Sequence, residues 1–363
     1  MIDDVLARDN ATRDLNQYVR SEVPGLQYIA VTADRVLFEY AGGWADIQGQ
    51  KAMTLDTTLM TYTMTKTFTA VTILQLAERG KLNLDEMIDR YLPNNPYHGH
   101  GITLRQLLSH TSGASNPIPL RWVHLAEEDS SFSEAEALAA VLRENPDLAF
   151  EPGRKFAYSN IGYWLLGKVV EQVTGQSYPA YVRANILRTL GLSAQEMDFV
   201  IPDESRHANG YLAKYSLTNL VKGFVIDRKF LGNYEGHWLR LKSHYLNGPA
   251  FGGLIGTARG FSRFLQDQLR TESVLFGVET KHLLETQQTD GAGRPIPMTP
   301  GWHIGKAHGA VYFFKEGGGG GFHCEMRIYP TKGLASVVLV NSTGFNSTRF
   351  LNRVDRTFLE PHQ

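Results

Sequence analysis

Thr63 and Lys66 stand three positions apart at the head of the stretch 61–80, TYTMTKTFTAVTILQLAERG. On a helix that spacing puts both side chains on one face of the first turn, with a hydroxyl in reach of an amine. Phe68, Val71, Ile73, Leu74 and Leu76 then recur at helical spacing, and no charge falls between Lys66 and Glu78, so the helix is expected to be buried on most sides. Desolvation and the positive end of the helix dipole both disfavour an ammonium there and lower the amine pKa. A neutral Lys66 would take the proton of Thr63 and make that residue a nucleophile. The same residues also fit a threonine-rich turn whose lysine reaches out to solvent.

Two further groups bear on that choice. Tyr158-Ser159-Asn160 follows the turn 150–153, FEPG, and leads onto a helix. A phenol leaning from there into a cleft beside a cation would have its pKa lowered enough to shuttle protons. Lys315-Glu316-Gly317 ends an apolar strand and runs into four more glycines. Without Cβ atoms this edge would let a substrate lie against the strand, and the N–H of Gly318 would join that of Thr63 in facing a developing oxyanion. A flexible turn between strands is the alternative. A phosphate loop is disfavoured, because the glycines 317–321 lead into a strand and not into a helix N-terminus.

The elements that must hold these groups are strands at the two ends and helices between. Residues 3–22 have the mix of an amphipathic helix, which Pro24-Gly25 ends. Apolar runs at 28–32 and 36–40 suggest a hairpin, and strand character returns at 310–315, 322–329 and 334–340. Between them helices are expected at 64–79, at 103–109 opened by Thr103 with Gln106, at 133–144 opened by Ser133 with Glu136, at 161–174 ended by Gly175, and at 178–189. A final helix is expected at 346–359. Residues 205–250 scatter Tyr211, Tyr215, Phe224, Phe230, Tyr234, Trp238 and Tyr245 among charges, which suits a wall or lid over a cleft as well as core packing. The expected fold is α/β: one antiparallel sheet built from both chain ends and flanked by helices, with a mostly helical second subdomain. Residues 1–60 and 250–363 form the sheet subdomain, 61–249 the helical one, and the cleft lies between them.

With 363 residues, 42% of them hydrophobic, the chain can bury a core of that size. A net charge of -1 gives no reason to expect nucleic acid or an anionic membrane surface as partner. The single cysteine, Cys324, excludes an internal disulfide and a cysteine zinc cluster. The histidines include no helical pair with metal-ligand spacing and a supporting carboxylate, so no metal or other cofactor is expected. The acidic start MIDDVLARDN is unlike a signal peptide, and no segment has the length of a membrane span, so the expected location is cytoplasmic. Oligomeric state is not legible.

In order, Thr-x-x-Lys, Tyr-Ser-Asn and Lys-Glu-Gly resemble the motifs Ser-x-x-Lys, Tyr-x-Asn and Lys- or His-Thr-Gly of the serine β-lactamase and penicillin-binding-protein superfamily. The likeness is strongest to the class C branch, with its family VIII carboxylesterases, D-amino-acid peptidases and acyltransferases. It extends over residues 107–113, LLSHTSG, and 150–167, FEPGRKFAYSNIGYWLLG, with Gly252-Gly253-Leu254, Thr257 and Gly301-Trp302. The resemblance implies Thr63 as nucleophile, Lys66 as its base or proton relay and Tyr158 as second acid/base. It implies that Asn160 orients a substrate amide or Lys66, that Lys315 stabilises a tyrosinate or a substrate carboxylate, and that Gly318, next to Gly317, gives the second oxyanion donor. His110 is expected to be structural, satisfying backbone groups.

Two departures matter. Threonine replaces serine at the nucleophile position, and its methyl restricts χ1 and crowds the line of attack. The hydroxyl then attacks more slowly, or forms an acyl-enzyme shielded from water that favours transfer, or has lost covalent chemistry. Glu316 replaces the usual threonine; pointing inward it would repel a substrate carboxylate, pointing outward it would not. Penicillin-like substrates are disfavoured on this ground. The expected function is a hydrolase or acyltransferase acting on a small ester or amide through an acyl-Thr63 intermediate. The alternatives are a catalytically silent ligand-binding relative and a non-covalent acid/base enzyme using Lys66 and Tyr158.

Overall fold

The computed structural model describes residues 2–117, 122–216 and 226–359. At its centre is an eight-stranded antiparallel sheet. Its order across the sheet is Met298–Thr299, Trp302–Ala307, Ala310–Gly319, Phe322–Tyr329, Leu334–Val340, Gly25–Val31, Val36–Asp46 and Lys51–Ala52. The two chain ends meet where Gly25–Val31 pairs with Leu334–Val340, Leu26 opposite Val340 and Val31 opposite Ala335. Both strands are buried along their whole length, as near-continuous apolar runs require.

Side-chain alternation sorts the two faces. Leu26, Tyr28 and Ala30 pack with Ala11 and Leu15 of the helix Ile2–Ser21 and with Phe350 and Leu351 of Ser347–Val354. Ile29 and Val31 belong to the larger core that holds Phe68, Phe261 and Phe264. The expected terminal helix 346–359 is interrupted at Asp355, between Ser347–Val354 and Arg356–Leu359. Asp355 turns inward, accepting hydrogen bonds from Tyr28 (2.8 Å), Tyr329 (2.8 Å) and Ser336 (2.9 Å). A buried carboxylate needs such partners.

The helical part carries Thr65–Glu78, Leu104–Leu108, Glu134–Glu144 and Asn160–Thr174 close to the expected positions. The helix expected at 178–189 is regular only over Tyr178–Val182 and continues as a wider π turn at Arg183–Leu187. Within Thr65–Glu78 every residue through Leu76 is buried, threonines included. Their hydroxyls are satisfied by bonds back to the chain, Thr65 to Tyr62 O, Thr67 to Met64 O and Thr72 to Phe68 O, or across to Ala250 O from Thr69.

The poorly legible stretch 205–250 contains a three-stranded sheet of Gly210–Ala213, Trp238–Leu241 and Leu231–Glu235. It joins the main sheet through Tyr211 N, which donates to Gly321 O. Tyr211 and Phe230 are buried core, whereas Tyr215 and Tyr234 face solvent. Phe224 lies outside the described residues. Among the described residues no helix is long and apolar enough to cross a membrane.

Candidate active site

A 3-10 turn, Tyr62–Met64, feeds the buried helix Thr65–Glu78. From Thr61 to Leu76 Thr63 alone is not buried, so its side chain faces open space at the junction of helix and sheet. Thr63 Oγ1 lies 3.0 Å from the Tyr158 hydroxyl and 3.4 Å from Lys66 Nζ. Lys66 Nζ donates to Asn160 Oδ1 and to Phe251 O, each at 2.7 Å. Burial, and then the neighbouring Lys315, hold the Lys66 amine well below the usual lysine range. A neutral amine has two hydrogens to donate, and Asn160 and Phe251 use both. Its lone pair is left for the hydroxyl of Thr63.

Local sequence places the phenol. Ser159 caps the helix Asn160–Thr174 by accepting from Gly162 N at 3.1 Å, which makes Asn160 the first helical residue and leaves Tyr158 on the extended chain before it. His110, with φ 58°, brackets the tyrosine: its carbonyl accepts from Ala157 N (2.8 Å) and its Nδ1 from Ser159 N (3.2 Å). Its ring lies 4.4 Å from that of Tyr158. The structural role expected for His110 is what this geometry provides. The expectation of an acidified phenol is overturned, because burial pushes the Tyr158 pKa up and the Thr63 hydrogen bond offsets only part of that. The cations meant to lower it are themselves buried amines. Tyr158 therefore rests protonated, as a proton donor.

Lys315 reaches the same hollow from the strand Ala310–Gly319. Its Nζ is buried, has no hydrogen-bond partner among the described residues, and lies 5.7 Å and 5.8 Å from the ring centres of Tyr158 and Tyr163. Burial brings its pKa down to about 7. The glycines that follow are paired strand and not a flexible turn: Gly317 stands opposite Cys324 and Gly318 opposite His323. A Cβ on Gly317 would lie 2.5 Å from Thr61 O and 3.0 Å from Thr63 N, so glycine is what lets the Thr63 amide sit against this strand. Gly318, next along, is exposed. Glu316 points away from Lys315, to the opposite face of the sheet, with its Oε1 2.8 Å from His323 Nε2 and 3.4 Å from Ser347 Oγ. It puts no charge in the hollow.

Four contributors were given no role in the site by the sequence. His303 stacks on Tyr158 with ring centres 6.3 Å apart, and burial with the two lysines lowers its pKa to about 2. Tyr163 lies under both amines, Phe251 supplies the carbonyl that binds Lys66, and Cys324 Sγ donates to Thr61 O at 3.1 Å. Three come from distant segments, and Tyr163 from the helix Asn160–Thr174 itself. Only the glycines around 252 and the Gly301-Trp302 pair hinted at two of these places.

The buried amines make a pH prediction. The folded pKa of Lys315 lies below its unfolded value, so the unfolded chain binds more protons across that window and stability rises with pH from about 7 toward about 10. Lys66 acts with the same sign. Lys315→Met is expected to remove part of the rise, up to about 1.4 kcal/mol per pH unit between pH about 7 and about 9. Denaturant titrations across that range check it; an unchanged slope contradicts the burial of an uncharged amine.

An antiparallel sheet beside a helical part, with alcohol, amine and phenol meeting at their junction, is the β-lactamase and transpeptidase architecture. The chain belongs to the Beta-lactamase family, whose profile matches residues 8–357. Penicillin-binding protein 4* of Bacillus subtilis (strain 168) is 28% identical over 200 residues, covering 55% of this chain and 41% of that protein. The chain thus matches about two fifths of that relative's length. The structure of the D-amino acid amidase from Ochrobactrum anthropi SV3 complexed with L-phenylalanine amide superposes with a TM-score of 0.78 at 20% identity, covering 97% of this chain and 98% of that one. That of EstCE1, a hydrolase with promiscuous acyltransferase activity, gives 0.73 at 21% identity, covering 99% and 100%.

Proposed function

We propose that this protein is a hydrolase or acyltransferase for a small ester or amide, working through an acyl-enzyme on Thr63. The observation that carries the reading is the pair of distances around one part-buried hydroxyl: Thr63 Oγ1 lies 3.0 Å from the Tyr158 phenol and 3.4 Å from the Lys66 amine. Structural neighbours that are an amidase and a hydrolase with promiscuous acyltransferase activity support it in kind.

Thr63 Oγ1 adds to the substrate carbonyl carbon while Lys66 Nζ takes its proton. The carbonyl oxygen becomes an oxyanion between the N–H groups of Thr63 and Gly318. As the intermediate collapses, the bond to the leaving group breaks and Tyr158 supplies the proton that the alcohol or amine needs to depart. Lys66, now an ammonium, returns its proton to the phenolate by way of the bound acceptor, whose own O–H or N–H relays it. Water, or a second alcohol or amine, repeats the sequence in reverse and frees Thr63. Asn160 holds Lys66 in place through its 2.7 Å bond, and Lys315 steadies charge on Tyr158. The cleft between the sheet subdomain, 1–60 with 250–363, and the helical subdomain, 61–249, receives the substrate. The test is the mass of the protein after exposure to an activated ester: one acyl group added, at Thr63.

A further inference from the structure

We infer that Tyr62 is a positioning residue of this site: its backbone turns the Thr63 amide toward the Lys315–Gly318 strand edge, and its phenol locks that turn. The inference rests on the function proposed above. Tyr62 has φ 43°, a left-handed conformation that residues with a side chain rarely adopt and that persists only where the surroundings over-determine it. It immediately precedes Thr63, so its dihedrals set the plane of the peptide that carries the Thr63 N–H. That nitrogen packs on the strand at Gly317, where a Cβ would lie 3.0 Å away. A relaxed residue 62 would swing the peptide plane and turn the amide away from the exposed Gly318.

The side chain supplies the over-determination. The buried ring of Tyr62 sits on Gly319, where a Cβ would come within 2.5 Å of a ring carbon. Its hydroxyl proton lies between two acceptors, Gly320 O at 2.9 Å and His244 Nε2 at 3.1 Å. The Nδ1 of His244 is engaged with Lys242 O at 2.9 Å, which leaves Nε2 as the accepting nitrogen. The glycine run therefore has a second use besides exposing a strand edge. Gly317 admits the Thr63 amide and Gly319 the tyrosine ring, while the carbonyl of Gly320 accepts from the hydroxyl.

The test compares Tyr62→Phe, Tyr62→Ala and Tyr62→Gly, each in the wild-type and in a Thr63→Ser background, on p-nitrophenyl acetate. Tyr62→Phe, which loses only the anchoring oxygen, is expected to lower kcat about tenfold with KM changed less than about twofold. Tyr62→Ala is expected to lower kcat about a hundredfold, and Tyr62→Gly, which adopts positive φ freely, to recover about tenfold over alanine. A residue needed only for packing predicts the reverse order, since alanine keeps more side chain and restricts the unfolded chain more. Alanine equal to or better than glycine, or phenylalanine with wild-type kcat, overturns the inference while leaving the proposed function standing. Tyr62→Phe alters one atom and keeps the test available if the smaller variants do not fold. Failure of both parent backgrounds to release nitrophenolate sinks the proposed function, and this inference with it.

Discussion

Lys66→Met is expected to lower kcat/KM for a short p-nitrophenyl ester by about 10²- to 10⁴-fold, the range for a well-placed proton acceptor. Methionine fills a similar volume but takes no proton. The loss will not be a by-product of unfolding if thermal melts show the variant folded at assay temperature. Some destabilisation is expected, because Asn160 Oδ1 and Phe251 O each lose a 2.7 Å donor. Leaving a buried acceptor unpaired costs about 1–3 kcal/mol, though removing a buried amine works in the other direction. The pH profile separates catalysis from stability. Lys66 is held well below the usual lysine range, so wild-type kcat/KM should fall as pH drops through that depressed value and the amine charges. The variant should lose that limb. Retention of wild-type activity in a folded Lys66→Met protein would remove the base from the mechanism.

Thr63→Ser is expected to raise turnover of the same ester by about tenfold to a hundredfold. The oxygen stays where the Tyr158 and Lys66 contacts put it, at 3.0 Å and 3.4 Å, while the methyl that crowds the approaching carbonyl is gone. Relief of crowding worth about 1.4–2.7 kcal/mol corresponds to that gain. The gain should be larger for hydrolysis than for transfer to an added alcohol, because the methyl shields the acyl bond from water more than it hinders a bound acceptor. Product ratios in the presence of methanol measure this. A serine variant no faster than the parent would mean that the methyl is not what limits the reaction.

Much of the fold was legible because its central strands, Gly25–Val31 and Leu334–Val340, are apolar runs buried on both faces, and the sheet joining the two chain ends follows from 28–32 and 334–340 alone. The short strands at 210–213, 231–235 and 238–241 were not legible, since their aromatics mix buried Tyr211 with exposed Tyr234 and no period emerges. In the site, Thr63, Lys66, Tyr158, Asn160 and Lys315 could be found because each sits at a fixed offset within a local motif. Phe251 O and His303 could not, since a backbone carbonyl has no residue type and a stacked imidazole has no spacing. The direction of the Tyr158 shift was misjudged for a related reason. A motif brings residues together but does not say how much water remains, and here burial of the phenol and of both lysines outweighs the attraction between them. The left-handed turn at Tyr62 escaped in the same way, because tyrosine gives no sign of positive φ.

The most direct test is to treat the protein with a fluorophosphonate or a p-nitrophenyl ester, weigh it intact, and map the modified peptide. One added group per chain is expected, on Thr63, absent from Thr63→Ala and slowed in Lys66→Met. Turnover without any adduct on wild type or on Thr63→Ser, undiminished in Thr63→Ala, would contradict it and leave Lys66 and Tyr158 as a non-covalent acid/base pair.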